Sequence, residues 1–168
     1  TDKFKVLDEL DMFAAKILDI VPDELVPRSG LNVAMALNDA AGPEEIAAID
    51  KRMTVHNGLL RKNGPAKFGS AEHLSYLLLA AMKHDPRTRC VMNIAYTKDV
   101  MDIMEEVGMN VVVVDMTKDK VGEATDRAIA KARGIPDAIV DKSSRKDRNI
   151  RILAKDTNDL LAKLENIL

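Results

Sequence analysis

One segment of the sequence combines a turn, a helix start and a histidine. Phe68–His73 places Gly69 in the turn, Ser70 at the expected helix cap and His73 in the first helical turn. Backbone N–H groups at a helix N-terminus bind phosphate, and histidine titrates near neutral pH. Arg52, which lies 21 residues upstream of His73, offers a guanidinium fork for bidentate contact with phosphate or pyrophosphate. Together these residues predict a site for an anionic substrate.

Each of these residues also fits a purely structural role. His73 could be satisfied by a neighbouring carbonyl, Ser70 could be an ordinary N-cap, and Gly69 could serve only the turn. Arg52 could be a solvated charge at the start of a strand, paired with Asp50 or Glu45. The residue pattern alone leaves the structural and the functional interpretation open.

Two asparagines interrupt strands that are otherwise apolar. Asn32 lies near the start of the predicted strand 31–37, and Asn93 lies inside the predicted strand 90–95. A buried amide must find hydrogen-bond partners, so each asparagine either ties the sheet to a loop or recognises the polar edge of a ligand ring. Arg89, which follows Asp85 and Pro86, is a further candidate for binding a substrate.

Strands and helices alternate along the chain, which predicts a layered α/β domain. We expect helix 70–83 to be buried on most sides and the valine strand 111–114 to be fully buried. Thr97 and Thr157 are the expected caps of their helices. The predicted helices are 5–19, 43–49, 70–83, 97–107, 121–133 and 157–168, and the predicted strands are 31–37, 52–56, 59–61, 90–95, 111–114, 138–140 and 149–153. We expect one domain over 1–168, with a leading helix in 1–19 and an α/β body over 20–168.

Composition excludes several classes of protein. The formal net charge is −2 and the sequence pI about 5.9, which argues against general electrostatic binding of nucleic acid. No apolar run is long enough to span a membrane, and a single cysteine, Cys90, fits a reducing compartment and a cytoplasmic location. Three scattered histidines show no metal-ligand spacing, so no protein-held metal is expected. Because the sequence begins with Thr1, we consider it a candidate piece of a longer chain.

Taken together, the sequence resembles the archaeal ThiN-type thiamine-phosphate synthase family over about 27–168. Each motif is weak alone, but their order and spacing are specific. The motifs that carry the resemblance are Gly30–Ala34, Ala47–Arg52, Phe68–His73, Asp85–Arg89 and Met92–Ile94.

The resemblance implies a fold and a reaction. The fold would be a three-layer α/β/α domain with a mixed sheet, like the class II aldolase (AraD-like) domains. The reaction would join hydroxymethylpyrimidine pyrophosphate to hydroxyethylthiazole phosphate, giving thiamine phosphate and pyrophosphate, with Mg²⁺ bound to the substrate pyrophosphate. Arg52 and His73 stand where the family's functional arginine and histidine stand, and Asp115, at the end of the valine strand, joins the residues expected to bind substrate. A homo-oligomer is also implied.

Two other functions remain open at this point. Domains of this family also occur fused to a kinase for the pyrimidine substrate or to a helix-turn-helix reader of DNA. The chain could therefore be a non-catalytic sensor of thiamine phosphate within a transcriptional regulator. An aldolase-like sugar-phosphate enzyme on the same fold would need a histidine cluster for its metal, which the sequence lacks.

Overall fold

The computed structural model describes residues 2–116, 120–143 and 148–168. Five helices and nine strands follow one another along these ranges. The helices are α1 (Asp2–Ile20), α2 (Glu72–His84), α3 (Lys98–Glu106), α4 (Val121–Ala132) and α5 (Thr157–Ile167). The strands are β1 (Val33–Ala36), β2 (Ile46–Ile49), β3 (Met53–His56), β4 (Leu59–Lys62), β5 (Ala66–Phe68), β6 (Cys90–Ala95), β7 (Val111–Val114), β8 (Ala138–Asp141) and β9 (Asn149–Ala154).

Seven strands form one mixed sheet in the order β5-β2-β1-β6-β9-β8-β7. Every pair in this sheet is antiparallel except β7 with β8. The two remaining strands, β3 and β4, form the hairpin that Asn57 and Gly58 predict. The bridge between Leu31 and Met53 ties this hairpin to the start of β1.

Helices cover both faces of the sheet, so the domain has three layers. Helices α1, α3 and α5 pack on one face, where Leu10 and Ile17 are fully buried. Helices α2 and α4 pack on the other face around Leu77 and Ala128. Because side chains alternate along a strand, each strand contributes apolar residues to both cores. The α/β class and the mixed sheet predicted from the sequence are confirmed.

The prediction of a helix from Pro43 through Ile49 is wrong. Only Pro43–Glu45 form a short 3-10 turn, and Ile46–Ile49 then form β2, which pairs with β1 and β5. All four β2 residues are buried. A short apolar run fits a buried strand as well as a buried helix. Here backbone pairing with β1 and β5 favours the strand.

Two further expectations about elements are corrected. Strand β7 is an edge strand, so Val113 is 41% exposed and the run is not fully buried. Asp156, not Thr157, caps α5 by accepting a hydrogen bond from the Asp159 N–H at 2.7 Å. Thr97 does cap α3, because its hydroxyl accepts from Val100 at 3.0 Å.

Helix α2 is less enclosed than its apolar sequence predicts. Glu72, His73 and Tyr76, which is 45% exposed, face outward, while Leu77 and Leu78 are fully buried. Cys90 is buried in β6, as expected for a core strand residue. No helix within the described ranges is both long and apolar enough to cross a membrane. The polar composition of 141–148 predicts a loop, but Asp141 is the last residue of β8, and residues 144–147 lie outside the described residues.

Candidate active site

A cleft of about 670 Å³ opens at one end of the sheet, on the face that α2 and α4 cover. Neighbouring strands contribute polar side chains to this cleft, near the point where each strand begins or ends. Helix α2 also begins at this end of the sheet. The polar residues that line it are Ser29, Asn32, Arg52, Ser70, Glu72, His73, Asn93, Asp141, Asn149 and Arg151, with Ala71, Leu74, Tyr76 and Val121 as apolar neighbours.

Arg52 reaches the cleft from a strained turn. Lys51 and Arg52 both have φ of 62°, the left-handed region that residues with side chains rarely adopt. The Arg52 Nη1 donates to the Ser29 carbonyl at 2.8 Å. Gly30 lies directly beneath, where an added Cβ would come within 3.1 Å of the Arg52 Cβ. Such strain persists where the surrounding structure enforces it, and it is concentrated at functional sites.

His73 lies in the first turn of α2 and faces Arg151. The Nη2 of Arg151 is 3.0 Å from the His73 Nε2. Partial desolvation of the ring, followed by the positive charges of Arg151 and Arg52, lowers the pKa of His73 from 6.5 to about 4, against the raising effect of Asp141. His73 is therefore neutral at pH 7, and the two arginines are close enough to act on it. The cleft thus offers guanidinium groups and an uncharged imidazole to an anion.

Arg151 is the most deeply placed charge among the site residues that the sequence did not single out, which also include Asp141, Asn149 and Tyr76. It lies in the middle of β9, is 7% exposed, and its Nη1 is 3.7 Å from the Asp141 Oδ2. The signal was available: Arg151 stands between Ile150 and Ile152 in a predicted strand. The criterion that singles out Asn93 applies equally to Arg151, because β6 and β9 pair these two residues directly.

The two asparagines form a hydrogen-bonded network under the cleft. The Asn93 Oδ1 accepts from the Asn32 backbone N–H at 2.6 Å, and the Asn93 Nδ2 donates to the Gly30 carbonyl and to the Asn149 Oδ1. The Asn32 side chain accepts from Val33 and Ile49 and donates to the Ile49 carbonyl. The Asn93 side chain thus ties β6 to the Gly30 turn and to β9, and the Asn32 side chain ties the start of β1 to the end of β2. Both residues also line the cleft, and their recognition of a ligand ring stays a prediction.

The turn before α2 differs from its expected form. The Ser70 hydroxyl lies 2.8 Å from the Lys67 carbonyl and 3.1 Å from the Ala48 carbonyl, so it ties the turn to β2 and does not cap α2. Ala71 occupies the N-cap position and supplies no capping side chain. First-turn N–H groups have no acceptor inside a helix, so they are available to a ligand at this point. Gly69, with φ of 73°, makes the turn that brings the chain here.

Three of the residues expected to bind substrate, Gly69, Arg89 and Asp115, are not among those that line the cleft. Arg89 precedes β6 at the end opposite to Asn93, and its Nε and Nη2 both donate to the Ala36 carbonyl, at 3.1 and 2.8 Å. Its guanidinium therefore holds the β1 end in place. Asp115 follows the edge strand β7, is exposed, and does not line the cleft. The structure therefore does not bring Arg89 and Asp115 together with Arg52 and His73 in this cleft.

The acids of the cleft are too few to hold a metal by themselves. Within the described residues no group of three or more histidine, cysteine or acidic side chains could bind an ion. Glu72 and Asp141 are the carboxylates that line the cleft. Two carboxylates would leave most positions around a divalent ion to water or to a bound ligand.

Comparison with known proteins places the chain in a family. The family described as "Thiamine-phosphate synthase ThiN" matches residues 9–166. The chain belongs to this family. The match includes the α2/α4 cleft and every residue that lines it. The resemblance drawn from the sequence motifs is confirmed.

Curated relatives of this ThiN-family chain are longer proteins. The chain is 28% identical over 173 residues to the "Bifunctional thiamine biosynthesis protein ThiDN" of Methanocaldococcus jannaschii, covering 99% of the chain and 41% of that protein. It is 26% identical over 95 residues to the "Thiamine-phosphate synthase ThiN" of Methanothermobacter thermautotrophicus, covering 56% of the chain and 50% of that protein. The matched regions thus span half or less of these relatives.

Solved structures show the same ThiN fold. The C-terminal domain of a phosphomethylpyrimidine kinase superposes with a TM-score of 0.91 at 22% identity, covering 99% of this chain and 100% of that one. The L-fuculose-1-phosphate aldolase of Thermus thermophilus superposes with a TM-score of 0.55 at 11% identity, covering 98% and 88%. The first likeness extends over the whole domain, and the second is a more distant likeness of fold.

Proposed function

We propose that the chain is a thiamine-phosphate synthase domain that condenses hydroxymethylpyrimidine pyrophosphate with hydroxyethylthiazole phosphate. The observation that carries the proposal is the convergence of Arg52, His73 and Arg151 on one cleft at the N-terminus of α2, in a chain of the ThiN family. The more distant likeness to the L-fuculose-1-phosphate aldolase concerns the fold alone.

The reaction breaks the bond between the pyrimidine methylene carbon and a pyrophosphate oxygen. The electron pair of that bond leaves with pyrophosphate, and the thiazole nitrogen supplies the pair for the new carbon–nitrogen bond. Negative charge grows on the leaving group, so preorganised positive groups accelerate the step. Arg52 and the N–H groups at the start of α2 supply them, with Mg²⁺ carried by the pyrophosphate. His73, neutral at pH 7, contributes a hydrogen bond and no charge.

The apolar side of the cleft suits an aromatic ring. Tyr76 is one of five aromatic residues in the chain, and it stands 45% exposed in the second turn of α2. Val121, at the start of α4, lines the cleft with it. An exposed aromatic face packs favourably against a heteroaromatic ring. We assign this side of the cleft to the pyrimidine or thiazole ring.

The test is turnover by the purified chain with both substrates and Mg²⁺. Wild type forms thiamine phosphate and pyrophosphate, and Arg52→Ala or His73→Ala lowers kcat/KM about 100-fold or more, as expected when a charge-stabilising group is removed. Arg87→Ala is the matched arginine control, since its side chain is 72% exposed and pairs with Asp85. His84→Ala, at the other end of α2, is the histidine control.

Circular dichroism establishes that each variant is folded. Absence of turnover in wild type, with thiamine phosphate bound at micromolar concentration in calorimetry, contradicts the synthase and indicates a sensing domain. Normal turnover of both Arg52→Ala and His73→Ala contradicts the assignment of the site.

A further inference from the structure

The buried guanidinium of Arg151 bridges two titratable groups of the cleft. Its Nη2 lies 3.0 Å from the His73 Nε2, and its Nη1 lies 3.7 Å from the Asp141 Oδ2. The side chains of Arg151 and Asp141 are only 9% and 13% exposed. Asp141 is itself fixed, because its Oδ1 accepts from the backbone N–H of Ser143 at 2.9 Å. The three residues form a row from β8 through β9 to α2.

The chemistry of the guanidinium decides how the histidine is protonated. A guanidinium stays charged in proteins and can only donate hydrogen bonds. The His73 Nε2 that faces it must therefore offer a lone pair. In the neutral ring the proton then resides on Nδ1, since the tautomer follows from the hydrogen bond that the other nitrogen makes.

We propose that Arg151 is a positioning residue that holds His73 in the Nδ1-protonated tautomer, with Asp141 orienting the guanidinium. Arg151 is suited to this because it sits in the middle of a buried strand, paired with Asn93 on one side and Ile139 on the other. The backbone that carries the donor is thus held from both neighbours. A side chain on a loop would fix the ring less well.

The consequence for chemistry rests on the proposed function. With Nε2 engaged by Arg151, His73 cannot act as a base through that nitrogen. It acts instead as an N–H donor through Nδ1 towards the leaving pyrophosphate. A donor of this kind stabilises developing negative charge and needs no proton transfer.

Long-range proton–nitrogen NMR of ¹⁵N-labelled, ligand-free protein near pH 7 tests the tautomer directly. The pattern of imidazole nitrogen shifts distinguishes the Nδ1-protonated ring from the Nε2-protonated one. The wild-type spectrum is expected to show the Nδ1-protonated form at His73, identified by its loss in His73→Gln. His56 and His84 serve as internal controls, since neither lines the cleft.

In Arg151→Met the His73 signals are expected to move to the Nε2-protonated pattern, which free neutral histidine prefers, while Arg151→Lys, which keeps a donor, retains part of the Nδ1 form. An Nε2-protonated ring in wild type overturns the proposal, as does an Arg151→Met spectrum identical to wild type. If Arg151→Met does not fold, the wild-type and Arg151→Lys spectra decide the question.

The kinetic arm separates this proposal from the proposed function. Turnover by Arg151→Met is expected to fall about 10- to 100-fold, by analogy with the loss when the partner that orients a metal-bound histidine is removed, with partial recovery in Arg151→Lys. Absence of turnover in wild type contradicts the synthase but leaves the tautomer measurement standing. If Arg151→Met shows the changed tautomer but turns over at the wild-type rate, the functional role proposed for the His73 tautomer is contradicted.

Discussion

Acidification is expected to destabilise this domain through His73. The ring has a pKa of about 4 in the fold and 6.5 when unfolded. Between these values the unfolded chain binds a proton that the folded chain does not bind. Stability therefore rises with pH in this window. The contribution of His73 to the free energy of unfolding is fully present above pH 6.5 and is lost as the pH drops towards 4.

The size of the loss follows from the same two values. A pKa lowered from 6.5 to about 4 corresponds to about 3 kcal/mol, at 1.36 kcal/mol for each pH unit. His73 is solvent-accessible, however, and solvent screening weakens the repulsion from the arginines. We therefore expect about 1–2 kcal/mol of this loss to be measured.

Urea unfolding followed by circular dichroism at pH 7.0 and pH 4.5 measures the effect. Wild type is expected to lose about 1–2 kcal/mol more than His73→Gln between the two pH values, because glutamine cannot take up the proton. His84→Gln, a substitution in the same helix outside the cleft, is the control: it leaves His73 and its partners in place, so its loss should exceed that of His73→Gln. An equal loss in wild type and His73→Gln would refute the reasoning.

Two other substitutions probe the frame of the cleft. Asn93→Ala removes three side-chain hydrogen bonds of a 9% exposed residue, so urea unfolding should show a loss of about 2–4 kcal/mol, and a loss under about 1 kcal/mol would contradict the network. Gly30 has φ of 100°, and a Cβ added there would lie 3.1 Å from the Arg52 Cβ. Gly30→Ala should therefore displace Arg52 and weaken thiamine phosphate binding in calorimetry. Gly58→Ala, at φ of 79° with open space around it, should destabilise the hairpin while leaving binding unchanged.

Sequence reasoning succeeds at this site where a residue type is out of place in its element. Asn32 and Asn93 stand out because amides in apolar strands need partners, and both line the cleft. Arg52 and His73 stand out through the turn and the helix start that carry them, and the structure brings them together there. The same reasoning, applied to β9, finds Arg151.

The failures have physical causes in the sheet. The run Ile46–Ile49 is too short for its periodicity to separate a helix from a strand, and only pairing with β1 and β5 decides. The run Val111–Val114 is apolar enough for the sheet centre, but strand order is a property of the whole chain and places it at the edge. Arg89 looks like an anion ligand until its partner, the Ala36 carbonyl, is known.

A buried polar group can stabilise the fold or serve the functional site. Stability measurements on Arg151 variants should show which of these two roles Arg151 has. Arg151→Met leaves the nearly buried Asp141 without this charge partner, so the free energy of unfolding should fall by about 1–3 kcal/mol. The double variant Asp141→Asn/Arg151→Met removes both charges, so no uncompensated charge of this pair stays buried. Its stability in urea should therefore return to within about 1 kcal/mol of wild type, while turnover stays low. If the double variant is as unstable as Arg151→Met, Arg151 holds the fold as Asn93 does, and its burial needs no functional explanation.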